Sequence, residues 1–141
     1  MTLPDAVALE IARAKFPDAD TYKVALYTTD RTGSTAQAYT ATAETSGTGY
    51  TAGGFTLAVG TFNPAFWGLV STTAIFDPAD TQSGTGSTFT FRSLVIYNDT
   101  DAGDVGLYYF NAGADQIVSN GQLTIVWPTP DASNGLVRVP Q

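Results

Sequence analysis

Apolar positions along this chain follow two periods, one confined to the N-terminus and one running through the rest. Thr2-Leu3-Pro4-Asp5 offers a hydroxyl cap, a proline in the first turn and an acid three residues after the cap, the pattern of a helix start. Ala6 to Phe16 is rich in Ala, Glu, Arg and Lys, which favour helix, and Pro17 ends the run. On a helical wheel Leu3, Val7, Ile11 and Ala14 share one face, while Leu9 and Phe16 lie nearly opposite. Two apolar faces point to a helix held between its own domain and a partner. A strand is the competing reading, because Val7, Leu9 and Ile11 also alternate at period two.

From Thr21 onward the pattern is β. Tyr22, Val24 and Leu26 alternate with their neighbours, as do Phe55-Leu57-Val59, Val105-Leu107-Tyr109 and Leu123-Ile125-Trp127. Further strands are expected over Gln37–Ala43, Leu69–Phe76, Thr88–Tyr97 and Leu136–Val139. The segment Thr88–Tyr97 changes phase between Phe91 and Leu94, which predicts a bulge near Arg92-Ser93. Glycine-rich turns separate these runs, and Asn120-Gly121 is the strongest hairpin signal. Short strands at such spacing predict an all-β fold, an antiparallel β-sandwich or barrel of jelly-roll or Ig-like type, with a short N-terminal helix. The expected organisation is a helical arm over 1–16 and a single β-sandwich domain over 17–141.

Composition narrows the chemistry. At 141 residues, folding buries roughly two-thirds of the unfolded surface, enough for a core of its own. Six basic against 13 acidic residues give a net charge of −7, which disfavours nucleic acid and anionic membrane surfaces. With no Cys and no His, disulfides, thiol nucleophiles, Cys/His zinc sites and Ser–His triads are excluded. Met1 to Lys15 lacks the basic start and apolar run of a signal peptide, and no apolar run approaches the roughly 20 residues of a membrane span.

The remaining candidates each carry two readings. Asp99, Asp101 and Asp104, with Gly103 between, are spaced somewhat like a calcium loop, but no Glu closes the pattern, and Asp and Asn also build ordinary hairpin turns. Asp77 with Asp80, or Asp99 with Asp104, are carboxylate pairs of the type used on glycosides, yet 13 acids produce such pairs by accident. Only Lys15 and Lys23 are available as base to a serine nucleophile. No cofactor or metal is expected. Phe62, Phe66 and Trp67 lie in a non-alternating stretch, either plugging one end of the fold or meeting a partner. Tyr108 and Phe110 should face outward if Leu107 and Tyr109 face inward, and Trp127 should be core. Candidate partner-binding residues are therefore Leu3, Val7, Leu9, Ile11, Phe62, Phe66 and Trp67.

Five segments, in order, carry a family resemblance: Lys23 to Thr28 (KVALYT), Ala38 to Thr40 (AYT), Glu44 to Gly54 (ETSGTGYTAGG), Ser93 to Asn98 (SLVIYN) and Leu123 to Val139 (LTIVWPTPDASNGLVRV). Together they resemble a group of small virion structural proteins of tailed bacteriophages, with Gly60 to Ser87 matching least. The resemblance implies a non-enzymatic β module without catalytic residues, located in the virion and assembled in the host cytoplasm. Its partners would be the major capsid protein or other virion proteins, and it would be a homo-oligomer, with a trimer among the options. Head decoration is the first expectation and a tail, collar or fibre-base component the second. A third, from another class, is a glycan-binding host-attachment module stacking sugars on Phe66, Trp67, Tyr108 and Phe110.

Overall fold

Eleven residues with a proline stop make one helix, and the β-rich remainder makes antiparallel sheets. A computed structural model describes residues 5–139. Helix α1 spans Asp5–Lys15, so the helical period prevails over the alternating one. The strands are β1 (Tyr22–Tyr27), β2 (Phe55–Thr56), β3 (Trp67–Val70), β4 (Thr73–Phe76), β5 (Thr81–Gln82), β6 (Ser87–Asn98), β7 (Gly106–Gly121), β8 (Thr124–Ile125) and β9 (Val137–Val139). All pair antiparallel, giving the all-β class expected from the sequence.

Two compact units are interleaved along the chain. The first combines residues 5–20, 58–80 and 126–139; the second combines 21–57 and 81–125. This division differs from the expected boundary after residue 16, because α1 packs against β3, β4 and β9 of the first unit.

In the first unit the three-stranded sheet runs β3-β4-β9. The single strand expected over Leu69–Phe76 is a hairpin whose turn, Ser71-Thr72, places Ser71 at φ 55°. Trp67 fixes the helix end to the sheet: its indole Nε1–H donates to the Phe16 carbonyl at 2.9 Å, and its backbone N–H donates to Asp18 Oδ1 at 2.9 Å. Arg13 closes the cluster, pairing through Nε with Asp18 Oδ2 at 2.6 Å and donating through Nη2 to the Trp67 carbonyl at 3.3 Å.

The second unit holds a four-stranded sheet in the order β2-β1-β6-β7 and a small β5-β8 pair. Strand β1 is central, paired on both edges, and only Lys23 among its residues is not fully buried. Ala25, Tyr27, Val95 and Tyr97 build one core cluster with Ala36 and Tyr39. The strand expected over Gln37–Ala43 is absent except for a bridge between Ala38 and Val105. Arg31 helps hold this stretch: its Nη2 donates to the Thr42 carbonyl at 2.8 Å, and its guanidinium lies 3.6 Å from the Tyr27 ring centroid. The strands expected around Phe55–Val59 and Leu123–Trp127 shorten to two residues each.

The long β1–β2 connection is organised by Glu44. Its carboxylate accepts from Tyr39 Oη at 2.8 Å, Tyr50 Oη at 2.7 Å and the Gly53 N–H at 2.7 Å. Tyr50 Oη in turn accepts the Leu26 N–H of β1 at 3.0 Å, and Tyr97 Oη donates to the Gly53 carbonyl at 2.8 Å. Gly54, at φ 85°, passes so close to β1 that a β-carbon there would stand 2.0 Å from the Val24 carbonyl oxygen.

A donor left without an acceptor in such a network costs about 1 kcal/mol or more. Glu44→Ala strands three of them, and urea unfolding should report a loss of about 3 kcal/mol; a loss under about 1 kcal/mol would contradict the network's role.

Alkaline stability follows from the same tyrosines. Burial, then the hydrogen bond to the Glu44 carboxylate, pushes Tyr39 up to about 12, and burial also raises Tyr50 and Tyr97. The folded chain therefore keeps protons that the unfolded chain releases, so this contribution is complete below about pH 10 and is lost as pH rises through about 12. With no His or Cys, the urea midpoint should stay level between about pH 6 and 9 and fall steeply above about pH 10. A level midpoint up to about pH 12 would contradict this assignment.

Candidate interaction surface

Strand β7 is sixteen residues long and contains one charged side chain, Asp115, in a chain whose net charge is −7. It forms one edge of the four-stranded sheet, with β6 its only neighbour there. Its pairing with β6 is broken three times, once near its start between Ile96↔Tyr108 and Tyr97↔Gly106 and twice further along. Between Phe91↔Gln116 and Ser93↔Asn111 the residues Ala112–Asp115 stand opposite Arg92 alone, which places the irregularity where the phase change in the sequence predicts a bulge. Gly113 adopts φ 79° in this excursion. Arg92 spans it, donating from Nη2 to the Gly113 carbonyl at 3.1 Å and pairing with Asp115 at 3.3 Å and Asp30 at 2.9 Å.

The last break along β7 lies between Ser87↔Gly121 and Phe89↔Val118. Asn120 takes the positive φ expected of it, 46°, but in an irregularity of β7, not in a hairpin turn. Its N–H donates to Thr88 Oγ1 at 2.9 Å, and β8 then pairs with β5 rather than folding back on β7.

Between and around these breaks β7 exposes apolar groups: Tyr109 is 41% exposed, Phe110 51% and Ile117 74%. The inward position expected for Tyr109 is not found, and Leu107 and Tyr108 are both half-buried. An edge strand explains the lost alternation, since it has a neighbour on one side only. Beside Ile117 a groove of about 430 Å³ is lined by Phe91, residues 116–119 and residues 121–124, none of them charged.

The other expected residues are placed as follows. Leu3 lies outside the described residues, as do the side chains of Val7 and Ile11; Leu9 is half-buried. Phe66 and Trp67 are 5% and 2% exposed, with Phe66 stacked on Phe76 at 5.2 Å, so both serve the core and neither presents a surface. Phe62 is half-buried over Gly68, where a β-carbon would stand 2.2 Å from its ring. Trp127 is buried as expected.

Asp77 and Asp80 are brought to one groove of about 530 Å³, together with Trp127, Pro128 and Pro130. Each carboxylate is committed to the backbone: Asp77 Oδ2 accepts the Thr61 N–H at 2.6 Å, and Asp80 Oδ1 accepts the Trp127 N–H at 3.0 Å. The turn Asn98–Asp104 is likewise satisfied locally. Asn98 Oδ1 accepts from Thr100 and Asp101, Asp101 Oδ1 accepts from Gly103, and Asp99 pairs with Lys23 at 2.9 Å. Among the described residues no group of three His, Cys, Asp or Glu is arranged to hold a metal ion. Lys23 is engaged by Asp99, which leaves the Ser–Lys reading without support at that position.

Comparison with protein-family models, curated proteins and solved structures yields no match.

Removing the Arg92 clamp should loosen the excursion without unfolding the sheet. In Arg92→Ala, amide exchange at Gly113–Asp115 should accelerate while protection in β1 stays unchanged; unchanged exchange at Gly113–Asp115 would show that the clamp holds nothing.

Proposed function

We propose that this chain is a structural protein of a bacteriophage virion, of the head-decoration or cement type, which binds the outer capsid surface through non-covalent protein contacts and performs no covalent chemistry. The observation that carries the reading is the exposure of Tyr109, Phe110 and Ile117 on edge strand β7, whose one charged residue, Asp115, is paired with Arg92. Contiguous exposed apolar groups mark interaction surfaces. Acidity elsewhere favours solubility at the high copy number that capsid decoration demands. The ordered resemblance from Lys23 to Val139 points the same way. Asp77, Asp80, Asp99 and Asp101, the groups nearest to a chemical role, are held by backbone amides or a lysine, as turn-forming residues are. Burial of Phe66 and Trp67 removes two of the four stacking platforms that a glycan-binding reading requires.

The deciding measurement is the number of copies per purified phage particle, by quantitative mass spectrometry against the major capsid protein. Copies in the hundreds are expected. A handful would move the protein to the tail, collar or fibre base, and absence from the particle would overturn the reading.

A further inference from the structure

The open part of the β7 edge is short and defined. At its N-terminal end β7 is already engaged: the Gly106 N–H donates to the Gln37 carbonyl at 2.8 Å, and Asn111 exchanges two hydrogen bonds of 2.7 Å with the Arg31 backbone. The Gly113 excursion and the Asn120 irregularity bracket what remains, residues 116–119, which read Gln-Ile-Val-Ser. An edge strand presents a row of unpaired N–H and C=O groups. Here residues 116–119 also line the uncharged groove, and the exposed apolar side chain among them is Ile117.

We infer that this stretch pairs antiparallel with the same stretch of a second copy of the chain, forming a two-fold dimer. Three features select that occupant. First, no lining residue of the groove is charged, so a charged peptide would bury its charge there without a partner, whereas Gln116–Ser119 brings none. Second, two chains of net charge −7 repel, and this exposed edge lets them meet without opposing carboxylates; the adjacent Asp115 is already paired with Arg92. Third, an antiparallel pair is its own two-fold mate, so one strand supplies both halves of the contact and the assembly closes at two chains, while the flanking breaks confine the pairing to these residues. With four residues in register, the dimer belongs among weak interfaces, those burying under about 1,200 Å² in total.

The inference shares the β7 edge with the virion reading but uses only residues 116–119 of it and leaves the exposed Tyr109 and Phe110 for a capsid contact; copy number per particle tests that reading, and sedimentation tests this one. Sedimentation velocity on the purified chain from about 10 μM to about 1 mM spans the affinities such an interface gives. Mass should rise from one chain to two. Ile117→Lys, which places a cation at the two-fold contact on an already exposed position, should weaken association about tenfold or more. Ser119→Lys, on the same stretch, should do likewise, and it provides the test if the first variant misfolds by circular dichroism. Val126→Lys, at an apolar position 71% exposed but outside β7, should leave association unchanged. The inference is overturned by a chain that stays monomeric throughout, by assembly larger than two, by undiminished dimerisation of the β7 variants, or by equal weakening in Val126→Lys.

Discussion

The second unit depends on one carboxylate. Between Tyr27 and Phe55 the chain travels 27 residues without a strand, and a connection of that length must find partners for its backbone somewhere. Glu44 supplies a single anionic point to which Tyr39, Tyr50 and Gly53 all donate, and charge-assisted bonds of this kind are about twice as strong as neutral ones. Tyr50 carries the link onward to Leu26 in the central strand, while Tyr39 stacks on Tyr97 with ring centroids 4.8 Å apart. The connection thus becomes a packed layer over β1 and β6. Phenol side chains suit such a layer, because each brings a large apolar ring to the core and one hydroxyl to the network.

Much of the fold is legible in local pattern. Tyr22–Tyr27 reads as a strand and is one. The helix over Asp5–Lys15 is legible through its composition and its proline stop, while the cap expected at Thr2 lies outside the described residues. The bulge opposite Arg92 shows itself as a slip of phase between Phe91 and Leu94, a signal that depends only on neighbours in sequence. What is not legible depends on partners far away. Trp67 reads equally as surface or plug until the Phe16 carbonyl, 51 residues earlier, is seen accepting its indole N–H. Asn120-Gly121 carries the local chemistry of a hairpin, and Asn120 does adopt the backbone that chemistry favours. Whether the chain then reverses depends on β5 offering β8 a better partner, which the dipeptide does not encode.

The candidate surface is similarly half visible. The sequence marks Phe110 as outward-facing, but Ile117 lies in one of several long uncharged stretches and nothing local singles it out. The position of β7 at a sheet edge is not legible either, because edge and centre are properties of strand order. Alternation would place Tyr109 inside, but a strand with one neighbour has too little cover to bury either face fully. Phe110 is accordingly exposed beside it.

The interleaving of the two units sets the order in which their strands occur along the chain. By Ile125 every strand of the second unit lies behind in the chain, whereas β9, which pairs with β4 of the first unit, is still to come. Helix α1, at the other end of the element order, belongs to the same unit that β9 completes. A released chain cut before Val137 would therefore keep every strand of the second unit and leave the β4 edge of the first unit open.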